Sequence, residues 1–409
     1  MRLTAGAGEH LTYCTNVHPG ETWPQVRACL DRDVPAVRDR IEVDHGASWR
    51  GAFGVGLRLS AACAEALSAP DAFAELQDCL ARHRLYVFTL NGFPFGDFHG
   101  RPVKAQVYRP DWQEEARVVY TRNLAEVLAR LLPDDQPFGS ISTVPGAIRP
   151  RGSTNAAIER IADNLLRGVA HLIDIERRSG RRLILALEPE PYCLLETIAE
   201  AIAFFEAHVL CSAALARLGT LAGLAPAAAE AALRRHLGVC LDTCHAAVEF
   251  EDPAAILDDL RGAGITIGKV QLSAGLRIPA MTPDLVPALA RFDDSVYLHQ
   301  VVERDAHGLN RYGDLDDALS AFAGRAHAPT PPEWRVHFHV PIFRPDLGPF
   351  ASTQPFVADI LDQHRLRPVS LHLEVETYTW GVLPDAFRTT DLPGAIAREL
   401  SWVMSRIGS

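Results

Sequence analysis

Apolar residues along this chain gather into short unbroken runs, and between the runs lie stretches with helical periodicity. The clearest run, Leu183-Ile184-Leu185-Ala186-Leu187, ends on Glu188-Pro189. Five consecutive apolar residues predict a strand buried on both faces, as in a parallel sheet, and the proline stops it. The same pattern recurs at Leu237–Asp242, Ile265–Leu272 and Leu371–Glu376, where Lys269, Gln271 and Glu374 are polar positions on otherwise apolar strands. Earlier strands are predicted over 10–18, 53–60, 85–91 and 138–144. Helices are predicted over about 22–40, 61–84, 111–132, 155–178 and 394–406, and another from Pro253, where Asp252-Pro253 is a start signal.

Eight strands alternating with helices predict a (β/α)8 barrel spanning residues 1–409 as one domain. No GxGxxG or Walker pattern follows any strand, which disfavours an open doubly wound sheet. Two stretches exceed what a barrel needs. Residues 205–235 are rich in alanine and leucine and predict a helical insertion after the fifth strand. Residues 275–345 predict an irregular insertion before the eighth, carrying a hairpin from 296–303 and 334–342 and a short helix near 314–323.

A polar residue at the end of a barrel strand faces the catalytic mouth. On that rule Glu188, Asp242, Gln271 and Glu374 form one site, although any one of them taken singly caps a helix or pairs with an arginine just as well. Carboxylates gathered there bind a divalent cation and exchange protons with substrate. His245 follows Asp242 by three residues and is placed to reach substrate or a second ion. His337 and His339 share one side of a strand by their i, i+2 spacing. His18 and His99 follow the first and third strands, and Lys269 lies on the face of Gln271. Phe93, Phe95, Phe98, Tyr378 and Trp380 are candidates to wall a sugar ring, and Arg101, Arg149 and Arg151 to hold a phosphate.

Charge and cysteine usage narrow the options. The formal net charge is −11, which argues against a general nucleic-acid surface. Eight cysteines without a CxxC pair read as reduced thiols. Neither a secretion signal nor an apolar run of membrane-spanning length is evident, so a cytoplasmic address is expected. A homodimer is compatible with the sequence.

The series Leu-Glu-Pro, Leu-Asp-Thr-x-His, Lys-Val-Gln-Leu-Ser and Leu-His-Leu-Glu-Val-Glu resembles the xylose isomerase-like TIM barrels. That superfamily includes sugar isomerases, ketose epimerases and metal-dependent apurinic endonucleases. The opening Leu-Thr-Tyr-Cys-Thr-Asn-Val-His-Pro-Gly-Glu-Thr-Trp, the loop Asn-Gly-Phe-Pro-Phe-Gly-Asp-Phe-His-Gly and the tract His-Phe-His-Val-Pro-Ile-Phe are similar to EboE-type metabolite traffic proteins. The resemblance implies a divalent ion (Mn, Mg, Zn or Co) held by Glu188, Asp242 and Glu374, with Glu188 and Glu374 as the acid/base pair. It further implies that His245 contacts a sugar-like, sugar-phosphate or cyclitol substrate. By position alone His337, His99, His18 and Lys269 are further candidates for that contact, with loop hydrogen bonding (His18, His99) or pairing with an acid such as Glu188 (Lys269) as the alternatives. The superfamily carries histidine where Gln271 stands, so Gln271 or His339 is expected to complete the metal shell. Isomerisation or epimerisation is the implied reaction. The alternatives are a non-catalytic metabolite carrier and a phosphodiester hydrolase of the endonuclease type.

Overall fold

The computed structural model describes residues 1–3, 8–45, 51–99, 102–293, 296–325, 330–384, 387 and 391–408. Seven strands follow one another with helical crossovers: β1 (His10–Tyr13), β2 (Phe53–Arg58), β3 (Leu85–Asn91), β4 (Gly139–Thr143), β5 (Leu183–Leu187), β6 (Leu237–Asp242) and β7 (Thr266–Leu272). Six more, β8 (Ala274–Ile278), β9 (Val301–Asp305), β10 (Gly308–Tyr312), β11 (Glu333–Val340), β12 (Asp346–Leu347) and β13 (Phe350–Ser352), precede the last, β14 (His372–Val375). All pairings in the first sheet are parallel, in the order β1-β14-β7-β6-β5-β4-β3-β2. Helices on the outside make this the predicted (β/α)8 barrel, nearly closed.

Closure between β1 and β2 combines one parallel backbone bridge, Cys14 to Gly56, with side chains. Thr12 Oγ1 donates to Gly54 O at 2.6 Å and accepts from Gly56 N at 3.0 Å, and Thr15 Oγ1 accepts from Arg58 N at 2.9 Å. Gly56 leaves room for a carboxylate: a Cβ there would lie 1.9 Å from Glu374 Oε2.

The helical excursion after β5 runs through Ile198–Phe204, Ser212–Ala222 and Pro226–His236, with a π-turn over Phe205–Val209. The predicted helix over 61–84 is two helices, Ala61–Ala66 and Pro70–Arg82, because Pro70 opens the second as its first residue. The second insertion is larger than a hairpin. It builds a six-stranded antiparallel sheet, β10-β9-β11-β8-β13-β12, and the chain returns to the barrel through the helix Gln354–Leu366. Among the described residues no single helix is long and apolar enough to cross a membrane.

The barrel interior is layered. At the bottom, His372 stacks on Phe138 with ring centroids 4.3 Å apart, and its Nδ1 lies 2.8 Å from Ser140 Oγ. Above it Lys269 and Glu374 form an ion pair of 2.6 Å with no exposure to solvent. The next layer up carries Gln271, Asp242 and the residues just past the ends of β5 and β14.

Candidate functional site

Three carboxylates converge on one atom at the carboxyl mouth. Gln271 Nε2 lies 2.8 Å from Glu188 Oε1, 3.1 Å from Asp242 Oδ2 and 2.5 Å from Glu376 Oε2. Each acid is positioned by its strand. Glu188 is the first residue past β5 and Glu376 the first past β14, while Asp242 ends β6. Asp242 also caps the helix Thr243–Val248, its Oδ1 accepting from Cys244 N at 2.7 Å and His245 N at 3.1 Å, and from Ser273 Oγ at 2.5 Å. Glu376 Oε1 accepts from Asn16 Nδ2 at 2.7 Å and Asn91 Nδ2 at 2.9 Å. An asparagine in the turn Thr15–Val17 after β1 and another at the end of β3 thus hold the glutamate that follows β14.

Burial and mutual repulsion separate the proton affinities of these acids. Burial pushes the Glu188 carboxyl up, and Asp242 adds to the rise while His245 opposes it. Glu376 is raised well above the ordinary carboxylate range by burial and then by Glu188, Asp242 and Glu374. Asp242 goes the other way. Its burial would raise it, but His245, His339, the Ser273 hydroxyl and the His245 amide together hold it below the usual value.

Three imidazoles form the second half of the site. His245 Nδ1 lies 2.9 Å from Pro189 O, His337 Nδ1 2.8 Å from Gln300 Oε1, and His339 Nδ1 2.6 Å from Glu376 O. Backbone carbonyls only accept, so His245 and His339 each carry a proton on Nδ1, and the neutral His339 offers Nε2 as a lone pair. The Nε2 atoms of His245 and His337 face each other at 3.1 Å, and the buried Nε2 of His339 has no hydrogen-bond partner. Ligand atoms of Asp242, His245 and His339 lie within 4.8 Å of one another, as do those of Glu190, His245 and His337. Burial drives His339 down to about 4, which leaves it neutral at pH 7. For His245 burial acts downward too, yet Asp242, Glu190 and Glu188 outweigh it and raise the pKa.

These donors fit a divalent cation. Glu188 Oε2 and His339 Nε2 are buried polar atoms without partners, and hard oxygens lie beside neutral imidazole nitrogens. Gln271 presents its NH2, not its oxygen, to the carboxylates, while its Oε1 accepts from Cys240 Sγ at 3.3 Å. An amide turned by half a rotation would present Oε1 instead.

Above the site opens a cavity of about 60 Å3. Its floor includes Glu188, Glu190, Glu376, His245, His337 and His339, and its wall is aromatic. Tyr378 packs edge-on to both Phe98 and Tyr297, which are tilted against each other, with centroids 4.9 to 5.4 Å apart. The wall is latched across two segments: Val103 N and Lys104 N both donate to Val296 O, at 2.8 and 3.0 Å, and Lys104 Nζ lies 2.8 Å from Asp314 Oδ2.

Several expected placements change. Glu374 does not join Glu188 and Asp242; it lies one layer down, paired with Lys269. Side chains alternate along a strand, so Glu376, two residues further on, occupies the mouth in its place. Lys269 faces Glu374 and not the cavity. His18 does not line the cavity either; its Nε2 lies 3.0 Å from Tyr13 OH, and it borders a small separate void between the end of β2 and the helix Trp23–His45. His99 packs against Phe98 and is likewise absent from the cavity lining. Phe95 packs on Tyr120 and Trp380 is buried beside Glu399. Arg149 pairs with Glu196 and Glu200, and Arg151 with Asp111 and Glu114; Arg101 lies outside the described residues. Glu188, Asp242, Gln271, His245, His337 and His339 do come together. Glu376 and Glu190, which the sequence reads equally as supporting the site or as lying outside it, are members, and Asn16, Asn91, Tyr108 and Gln300 were not anticipated. Glu376 had a legible signal, being the acid immediately past a strand end, as Glu188 is.

No protein-family model matches the chain, and no curated protein matches it. Solved structures do. One is a xylose isomerase-like TIM barrel protein from Mycobacterium smegmatis in complex with magnesium, 10% identical over 99% of this chain and 98% of that one, with a TM-score of 0.49. A second is an L-ribulose 3-epimerase, 13% identical over 98% and 94%, at 0.46. A third is an AP endonuclease of family 2 from Brucella melitensis, 13% identical over 64% and 78%, at 0.33. At such identities the chemistry of the site is read from its own residues.

Proposed function

We propose that this protein is a metal-dependent isomerase or epimerase of a sugar-like or cyclitol metabolite. The observation that carries the reading is the convergence of Glu188, Asp242 and Glu376 oxygens within 3.1 Å of one nitrogen, at the floor of a cavity that Glu188 and Glu376 both line. Glu188, Asp242 and Glu376 would hold the cation, with the Gln271 amide oxygen or His339 Nε2 completing the shell. A bound divalent ion supplies a Lewis acid that draws electron density from a substrate carbonyl.

The chain's own groups handle the proton. Glu188 Oε2 has no partner and is free to take the proton from the carbon next to that carbonyl. Glu376, its Oε1 pinned by Asn16 and Asn91, returns a proton from the other side. The aromatic wall excludes water and gives the apolar face of a ring a surface to rest on. The three tracts similar to EboE-type proteins support a place in secondary-metabolite synthesis or traffic. That part of the reading rests on the sequence resemblance alone.

The test is solvent deuterium exchange. Protein loaded with Mn2+ in D2O is given ketopentoses, ketohexoses and keto-cyclitols. Deuterium should enter next to the carbonyl, and E188Q and E376Q should abolish it. Tight ion binding with no exchange across the panel would defeat the isomerase and favour a carrier. A second reading, phosphodiester hydrolysis with two ions, is favoured by the three converging imidazole nitrogens. Two bound ions per chain together with cleavage of an abasic-site oligonucleotide would replace the first reading with the second.

A further inference from the structure

We infer that Gln300 is a positioning residue which fixes the tautomer of His337 and so decides what the paired imidazoles can accept. Gln300 precedes β9 in the antiparallel insertion, and its backbone carbonyl accepts from His337 N at 2.8 Å. Its side chain is fully engaged. Nε2 lies 3.0 Å from Pro191 O, 2.6 Å from Tyr108 OH and 3.3 Å from Glu190 Oε1. Tyr108 OH in turn donates to Glu190 Oε1 at 2.5 Å.

This pattern settles the amide orientation. Pro191 O has no proton to give, so the Gln300 atom facing it is the NH2. The opposite atom, Oε1, then faces His337 Nδ1 at 2.8 Å and only accepts. His337 therefore carries its proton on Nδ1 and directs the Nε2 lone pair at His245. His245, held by Pro189 O, directs its own Nε2 back at 3.1 Å. Two lone pairs at that separation need a positive bridge, either a shared proton or a cation. If Gln300 released its grip, His337 could move its proton to Nε2, donate to His245, and close the pair to any other ligand.

Gln300 comes from the insertion, Tyr108 from the loop after β3, and Glu190 and Pro191 from the loop after β5. The insertion thus helps shape the barrel site from a distance of one side chain. The inference builds on the proposed role of the histidines, but its test does not depend on turnover.

Protein labelled with 15N at histidine and freed of ions is assigned by long-range proton–nitrogen correlation. Wild type should show His337, like His245 and His339, protonated on Nδ1. Q300L should shift His337 toward the Nε2–H form and weaken Zn2+ binding about 10- to 100-fold, the range expected when a partner that orients a ligand is lost. Q300E, protonated on the oxygen that faces Pro191 O and Glu190, keeps its other oxygen as an acceptor against Nδ1 and should retain the wild-type tautomer. Finding His337 protonated on Nε2 in wild type, or unchanged on Nδ1 in folded Q300L, overturns the inference. If Q300L does not fold, the wild-type and Q300E spectra decide it. Loss of deuterium exchange with the tautomers as stated would count against the proposed reaction only.

Discussion

Lys269 Nζ and Glu374 Oε1 meet at 2.6 Å inside the barrel, and neither side chain touches solvent. Removing one partner leaves the other as an uncompensated buried charge, which costs about 3–5 kcal/mol. K269M and E374Q are each expected to lower the unfolding free energy by roughly that amount. The double variant K269M/E374L should recover most of the loss, because an apolar pair needs no desolvation. Urea denaturation of the four proteins measures this. A double variant no better than the singles would show that the pair is not coupled.

Glu376, not Glu374, is expected to hold the ion. E376Q should weaken Mn2+ binding by more than about tenfold, or at least ~1.4 kcal/mol, as should E188Q and D242N. K269M/E374L should bind Mn2+ within a few fold of wild type, since that pair lies a layer below. Calorimetric titration of the ion distinguishes the two glutamates. Equal losses from both would return Glu374 to the site.

Stability should fall between about pH 4.5 and 7 in part through Glu399. Burial raises this carboxyl to about 7, although it accepts from Thr377, Ile342 N and Trp380. A raised carboxyl favours the folded state while protonated. Its contribution is complete below the unfolded value of 4.5 and is lost as pH rises through 7. E399Q should flatten the slope of unfolding free energy over that window by about one proton, ~1.4 kcal/mol per pH unit. Denaturation series at pH 5, 6 and 7 test it, and an unchanged slope refutes the assignment.

Arg117 is fully buried and donates to three carbonyls, Pro110 O at 2.8 Å, Gly92 O at 2.7 Å and Phe93 O at 3.0 Å. Burial lowers it to about 10, still charged at neutral pH. It braces the loop that carries Phe93 into the cavity wall. R117M should cost about 3 kcal/mol and speed amide exchange at 92–99 and 102–110 more than in β5. Uniform acceleration across the barrel would mean a global effect only.

Much of the barrel was legible along the chain. Buried parallel strands announce themselves as apolar runs, and Leu183–Leu187, Leu85–Asn91 and Leu237–Asp242 fall where the pattern put them. Long amphipathic helices such as Asn155–Ser179 carry their own start and stop, Thr154 accepting from Ala157 N and Gly180 in the left-handed region. Glu188, Asp242 and Gln271 were found by the same logic, since a strand-end rule needs only local sequence. The rule faltered on β14, where Glu374 and Glu376 sit two residues apart. Both face inward, and only the strand's stagger against β7 decides which one reaches the mouth.

Other features had no local signal. Asn16, Asn91, Tyr108 and Gln300 are unremarkable polar residues, and their partners in the site lie 37 to 360 positions away in the chain. The antiparallel sheet over 274–352 could not be assembled from its short, mixed strands, because register there is set by pairing and not by a buried run. By itself the sequence determined the alternation of strand and helix and the presence of acids at strand ends, both products of periodicity and chain stops. Which acids meet, which lysine is paired away, and which tautomer an imidazole holds were decided only when shear, stagger and an insertion brought distant side chains within hydrogen-bond distance.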